Sequence, residues 1–273
     1  MTALLVPVLR AELRRVVSTR LWWALLVPVV LLAAAVNLFG GLLGGGAGAQ
    51  VGDLPVLLAS VAFTLTLVAV FAGVYGVVAA AGEFRHRTVT TAYLTAGGRG
   101  RVLVGKLVAG AVVGALYALV GAVVGIGVGL AGQRLPPVGE LLAVVGIGAA
   151  VAALWGMIGA ALGTALANQV GALVALLVYL QVGELVLAAA LNNAGSRAAA
   201  RLTPYLPGNA GDVAIYDLPA HTLGGAAFGD QVVEQLAGVT DPPPWWGALA
   251  VLVGWATLAA VVAWTVGDRR DVT

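Results

Sequence analysis

Residues 83–106 read EFRHRTVTTAYLTAGGRGRVLVGK, with Glu83, Arg85, Arg87, Arg99, Arg101 and Lys106 forming the largest block of charge in the chain. Apolar runs of membrane-spanning length flank this stretch on both sides. Outward from it the composition is extreme. Of 273 residues, 61% are hydrophobic and 10% charged, with mean hydropathy +1.02. A water-soluble domain carries about 25% charged residues, so most of this surface faces an apolar solvent. Apolar runs of this length cross a bilayer as helices, because only a helix pairs all its backbone groups within one segment. The fold class that follows is an all-α polytopic membrane protein. A net charge of +2 implies no nucleic-acid partner. The absence of cysteine removes disulfides, thiolate catalysis and cysteine metal sites. The first apolar run is too long for the core of a cleavable signal peptide, and no small-residue cleavage site follows it.

Residues 1–20 carry Arg10, Glu12, Arg14, Arg15 and Arg20, while Val6, Leu9, Leu13 and Val16 share one helical face. This pattern predicts an amphipathic helix in the membrane interface, its arginines toward lipid headgroups. The rest, 21–273, reads as a single six-span domain. Spans are expected at about 21–43, 54–82, 106–131, 141–166, 170–194 and 245–266. Pro28 is expected to kink the first. The fourth and fifth run together with Glu184 as their only charge, so a tight helical hairpin is placed at Asn168-Gln169.

With both termini inside, the cytoplasmic segments hold Arg10, Arg14, Arg15, Arg20, Arg85, Arg87, Arg99, Arg101, Lys106, Arg269 and Arg270 of the 14 basic residues. The outside keeps Arg134, Arg197 and Arg201. This asymmetry orients the chain with 83–106 in the cytoplasm of a plasma (inner) membrane. Gly110, Gly114, Gly121, Gly125 and Gly129, and then Gly156, Gly159 and Gly163, form smooth ridges for close helix packing. The outer segment, 195–244, is too short for a core of its own. It is expected to lie on or dip into the outer mouth, with a short amphipathic helix through Phe228, Val232, Val233 and Leu236.

Signatures of catalysis are missing. There is no G-x-x-x-x-G-K-[ST], no H-E-x-x-H and no G-x-S-x-G. His86 and His221 fall on opposite sides of the membrane and cannot share a metal within one chain. No catalytic residue and no metal site is expected. In the loop, Thr88 to Thr95 can form a short helix closed by Gly97-Gly98, a mechanical lever tied to two spans. An ordinary basic loop that only sets orientation accounts for the arginines. It does not account for Glu83 at the membrane exit, or for a length where a tight turn suffices.

The run Glu83-Phe-Arg-His-Arg-Thr88, then Tyr93-Leu94-Thr95, Arg101 and Gly105-Lys106, resembles the cytoplasmic loop of ABC-2 type transporter permeases. That loop follows roughly E-x-R-x-G-T, a short helix, then R and K at the start of the third span. Arg87 stands here where glycine is common. Asn168-Gln169, Glu184 and Tyr205-Leu206-Pro207 extend the likeness over most of the chain. The resemblance implies six spans, an interfacial N-terminal helix and outer re-entrant helices between spans five and six. It implies a dimer, with itself or a paralogue, above two copies of a cytosolic ABC ATPase. ATP and Mg would sit on that partner and no cofactor on this chain. Glu83, Arg85, Arg87, Thr88, Tyr93, Arg99, Arg101 and Lys106 would belong to the coupling region. Cargo in such a family ranges over drugs, lipids, polysaccharides and ions, and for this chain a hydrophobic, lipid-like or drug-like cargo is expected. On this reading Glu83→Ala uncouples hydrolysis from transport and leaves assembly intact.

Glu184 stands apart. A charge at a helix centre costs on the order of 2.5–3.5 kcal/mol, so it must face a cavity or a partner. One reading makes it a pathway residue, and an alternative function is an ATP-independent carrier or channel gated by it. The other makes it an interhelical hydrogen-bonding group with Gln181 as its local neighbour. Glu184→Gln is expected to fold and to alter transport on the first reading only. A non-transporting scaffold that recruits a cytosolic partner is a third possibility.

Overall fold

The computed structural model describes residues 5–46, 56–85, 93 and 98–269, and among these every regular element is helical. The N-terminal amphipathic segment forms α1 (Leu5–Ser18), followed by α2 (Leu21–Gly46) and α3 (Val56–Arg85). Then come α4 (Arg99–Gly129), α5 (Val138–Leu166) and α6 (Gln169–Val178). A single π turn, Tyr179–Gly183, joins α6 to α7 (Glu184–Asn192). Beyond it lie α8 (Arg197–Ala200), α9 (Pro207–Ala237) and α10 (Trp245–Arg269). Six helical segments are long and apolar enough to cross a membrane: α2, α3, α4, α5, the joined α6–α7, and α10.

Several helix ends differ from the expected spans, and two of them frame the charged stretch. Span two continues to Arg85, and span three begins at Arg99 rather than near Lys106. Helices do not end where the apolar core ends, because polar residues at a membrane exit remain good helix formers. What starts α4 is Gly98, whose φ of 151° is a backbone conformation side chains resist. The connection is therefore 86–98. The short helix expected at Thr88–Thr95 lies, Tyr93 apart, outside the described residues, as do Arg87 and Thr88. α2 continues through Pro28. The hairpin at Asn168-Gln169 is present: Ala167 turns left-handed (φ 50°), and the Asn168 side chain caps α6 by accepting from the Gly171 amide at 3.0 Å.

The centre is a three-helix pack of α3, α4 and α5, with α2, α9 and α10 around it. Backbone contact makes this centre. A Cβ added at Gly156 would overlap the Gly110 carbonyl oxygen, and one at Gly76 the Gly156 oxygen. The glycines of α4 divide between two partners. Gly110 and Gly114 face α5, while Gly121, Gly125 and Gly129 face Val68, Asn37 and Leu57 of α2 and α3. The seven-residue gap in their spacing marks that change of partner. Gly156→Val should abolish monodisperse protein in size-exclusion chromatography, whereas Gly146→Val, with open space around it, should leave the elution profile unchanged.

A polar knot missed in the sequence pins α2 to α3. Fully buried Asn37 donates to Thr64 Oγ1 at 2.9 Å and accepts from Ser60 Oγ at 2.8 Å. Gln133 Nε2 donates to the Asn37 carbonyl at 3.0 Å. In apolar surroundings such bonds have no water to compete with.

The long segment after α7 departs most from its expected form. Instead of one short helix it forms α9, bent at Gly225 (φ 65°, ψ −179°) into two limbs. The second limb holds the amphipathic run through Val232, Val233 and Leu236. The first limb buries Ala210, Val213, Ala214 and Ile215 against the bundle. A segment too short for its own core thus takes one from α3, α5 and α10.

Candidate functional site: a buried charge cluster and an acid-lined cavity

At the charged end, Glu83 lies in the last turns of α3 with no exposed surface. Its carboxylate pairs with Arg15 of α1 and Lys106 of α4. Lys106 Nζ is also 3.9 Å from Glu12 Oε1 of α1. Two acids and two bases on three helices give a neutral cluster, which is what a low-dielectric interior permits. α1 packs close enough to α4 that a Cβ at Gly105 would press on Glu12 and Val8. A cavity of about 290 Å³ opens beside the cluster, lined by Glu12, Arg15, Tyr75, Arg85, Lys106 and Gln169.

The ties extend to the remaining helices. Exposed Arg85 donates from Nη1 to Gln169 Oε1 at 3.4 Å, reaching the α5–α6 hairpin. Arg99 donates from Nη1 to the carbonyls of Gly267 (2.8 Å) and Asp268 (3.1 Å), at the end of α10. Those terminal carbonyls have no partner inside their own helix, and a cation suits the negative end of the helix dipole. The Arg99 guanidinium also lies over the Tyr93 ring, 5.8 Å from its centroid. Glycine at 100 leaves room for the Trp264 ring.

Glu83 and Lys106, expected in a loop that meets a partner, are therefore interior residues. Arg85, Arg99 and Arg101 occupy the rim. The sequence tied this stretch to two spans; the contacts join α1, α3, α4, the α5–α6 hairpin and α10.

The second site is at the opposite end. The π turn shifts the register so that Glu184, 5% exposed, points into the bundle. Its Oε2 accepts from the Gly208 amide at 3.0 Å and its Oε1 from the Asn209 amide at 2.6 Å. These are first-turn amides of α9, orphaned by helix geometry and attractive to a negative charge. A Cβ at Gly208 would overlap the carboxylate. The interhelical partner is thus the first turn of α9, and the local one is the Tyr179 side chain, which also hydrogen-bonds the carboxylate. The sequence concealed this pairing because it depends on the outer segment folding back into the bundle.

Asp212, one turn further along α9, was not singled out in the sequence. With Thr66, Trp155, Gln181, Glu184 and Asn209 it lines a cavity of about 300 Å³. Burial, and then the nearby Glu184 carboxylate, push the Asp212 carboxyl from its ordinary 3.8 up to about 7, against a smaller opposing pull from Thr66. A carboxyl with a raised pKa favours the fold while protonated, and that contribution disappears as pH rises through about 7. Thermal unfolding of the purified chain should therefore drop by on the order of 5 °C between pH 5 and pH 8. Asp212→Asn should flatten that dependence.

A family model described as ABC-2 family transporter protein matches residues 6–271. No curated protein sequence matches the chain closely enough to serve as a relative. The match takes in α1, all six spans, with Glu184 in the fifth, and the outer segment with Asp212, so both sites are parts of one architecture. A multi-pass bundle matched over nearly its whole length is a transporter's membrane subunit, and the chain belongs to the ABC-2 family of transporter proteins.

Proposed function

We propose that this chain is the permease subunit of an ATP-driven ABC exporter in the plasma (inner) membrane. Both termini and residues 83–106 face the cytoplasm. Two copies of a separate cytosolic ATPase, carrying ATP and Mg, dock beneath the charged end. A second permease, itself or a paralogue, completes the transporter. The observation that carries this reading is the Glu83 cluster, together with its ties through Arg85 and Arg99. A push on connection 86–98 reaches α1, α3, α4, the α5–α6 hairpin and α10 as one body. A rigid plate that relays an external force suits a bundle whose motor is another chain.

A hydrophobic, lipid-like or drug-like cargo is supported by an apolar groove of about 500 Å³ between α5, α6–α7 and α10. Trp155, Leu162, Leu176, Tyr179, Trp255 and Leu258 are among its lining residues. The lipid-facing sides of α6 and α7, with Val170, Val174, Val178, Val182 and Leu185 exposed, offer apolar surface to lipid or to the second permease.

The test is purification in mild detergent from the native host. An ABC ATPase should co-purify, and its hydrolysis should rise with a cargo of the stated class. Absence of any ATPase, with intact permease recovered, contradicts the reading. The second reading, an ATP-independent carrier gated by Glu184, is favoured by the acid-lined cavity. It predicts transport that survives ATP depletion in vesicles.

A further inference from the structure

Asp217, His221 and Asp230 bring one nitrogen and two carboxylates together on α9, with ligand atoms within 4.8 Å of one another. No linear metal motif announces this group. The turn at Gly225 creates it by folding the second limb of α9, with Asp230, back against the first. Glycine at 229 is what lets the imidazole lie against that limb, since a Cβ there would press on the ring.

The tautomer of His221 is set by its neighbour. Nδ1 is 2.8 Å from the Asp217 main-chain carbonyl. A carbonyl only accepts, so Nδ1 carries a proton, and in the neutral ring the lone pair is on Nε2. Histidines that bind metals are held in this way, one ring nitrogen donating to a carbonyl while the other is free to coordinate. Nε2 lies 3.4 Å from Asp230 Oδ1. Two ligands bound tetrahedrally at about 2.0–2.1 Å lie roughly 3.3–3.4 Å apart. That pair already sits at the edge length of a zinc-like site. The Asp217 carboxylate is mostly buried; its Oδ1 lies 3.5 Å from His221 Nδ1, and its Oδ2 accepts from the Trp245 amide at 3.1 Å, so a turn of its side chain brings it to an ion on Nε2. Asp230 is 72% exposed and free to swing inward.

We infer that Asp217, His221 and Asp230 form a binding site for a divalent transition-metal cation of the zinc type. One imidazole and two carboxylates suit zinc, while magnesium and calcium take oxygen ligands only. A bound ion joins the two limbs of α9 across Gly225 and, through Asp217, holds them to the first turn of the last span. The site thereby controls how freely the α9 hairpin opens, whatever the cargo.

The test uses the full chain in detergent, purified without a histidine tag, stripped with chelator and titrated with Zn²⁺ alone. The chain has two histidines and no cysteine, so background binding is low. Calorimetry should find one saturable site per chain, and zinc should raise the unfolding temperature. His221→Gln and Asp230→Asn should each weaken binding by at least about tenfold. Their unfolding temperatures in chelator should match the parent's, which separates lost coordination from lost folding. Mg²⁺ and Ca²⁺ should not compete, and His86→Gln should bind as the parent does. No saturable uptake by the parent chain, or equal uptake by His221→Gln and Asp230→Asn, overturns the proposal.

Discussion

Glu83→Ala should reduce the yield of monodisperse protein by at least about tenfold. The substitution strands the Lys106 ammonium, whose side chain is only 5% exposed, with Glu12 at 3.9 Å as its nearest remaining acid. Leaving a buried charge uncompensated costs about 3–5 kcal/mol, a large part of a membrane bundle's margin. Read as a loop residue, Glu83 should tolerate replacement and lose only coupling. Its burial predicts that assembly fails first. The double variant Glu83→Gln, Lys106→Met separates the two explanations. It removes both buried charges, and Arg15, with its side chain 42% exposed, can turn to water. Monodisperse yield should recover, while ATP hydrolysis and transport stay uncoupled because α1 is no longer tied to α3 and α4. Fluorescence-detected size-exclusion chromatography reads the first effect and a vesicle transport assay the second. Wild-type yield from the single variant would refute the buried cluster.

At the other end, Glu184→Ala should detach the first turn of α9. The Gly208 and Asn209 amides lose their acceptor, at about 1–3 kcal/mol for each orphaned group. Hydrogen exchange across residues 208–216 should rise by at least an order of magnitude, with α3 and α5 remaining protected. Glu184→Gln keeps one acceptor oxygen and should show an intermediate increase, with folding preserved and transport altered. Because this carboxylate accepts from two first-turn amides of α9, the acid serves as an anchor, beside the Asn209 side chain's bond to the Thr203 carbonyl at 2.9 Å. The same carboxylate also lines the cavity with Asp212. Protection unchanged in Glu184→Ala would show that packing of Ala210, Val213 and Ala214 alone holds the limb.

Hydropathy and helical periodicity made the six spans, the amphipathic α1 and the α5–α6 hairpin readable, because a bilayer imposes a length on each segment separately. Asn168-Gln169 marked the turn as a polar pair in a long apolar run, while the cap that Asn168 makes came only with the structure. The glycine ridges were visible as spacing, and the break between Gly114 and Gly121 even marks a change of partner. Pairings between distant segments were not readable. Nothing in the sequence joins Glu83 to Arg15, or Glu184 to the amides of Gly208 and Asn209. Asn37 passed unnoticed because one amide scarcely lowers the hydropathy of a span. Asp212 looked like one outer acid among several until the first limb of α9 was seen to enter the bundle. The bend at Gly225, which brings Asp230 to His221, depends on a single residue's φ.

On the proposed function, the end carrying Glu83 and Arg99 faces the cytoplasm and is covered by an ATPase. Thr88→Cys introduces the only thiol in the chain, between the two helices that the cluster joins. A membrane-impermeant maleimide should label it in inverted vesicles stripped of the ATPase and leave it unlabelled in intact cells. Adding back the ATPase with ATP should suppress the labelling by at least about tenfold. Labelling in intact cells, or labelling in inverted vesicles indifferent to the ATPase, would contradict the account.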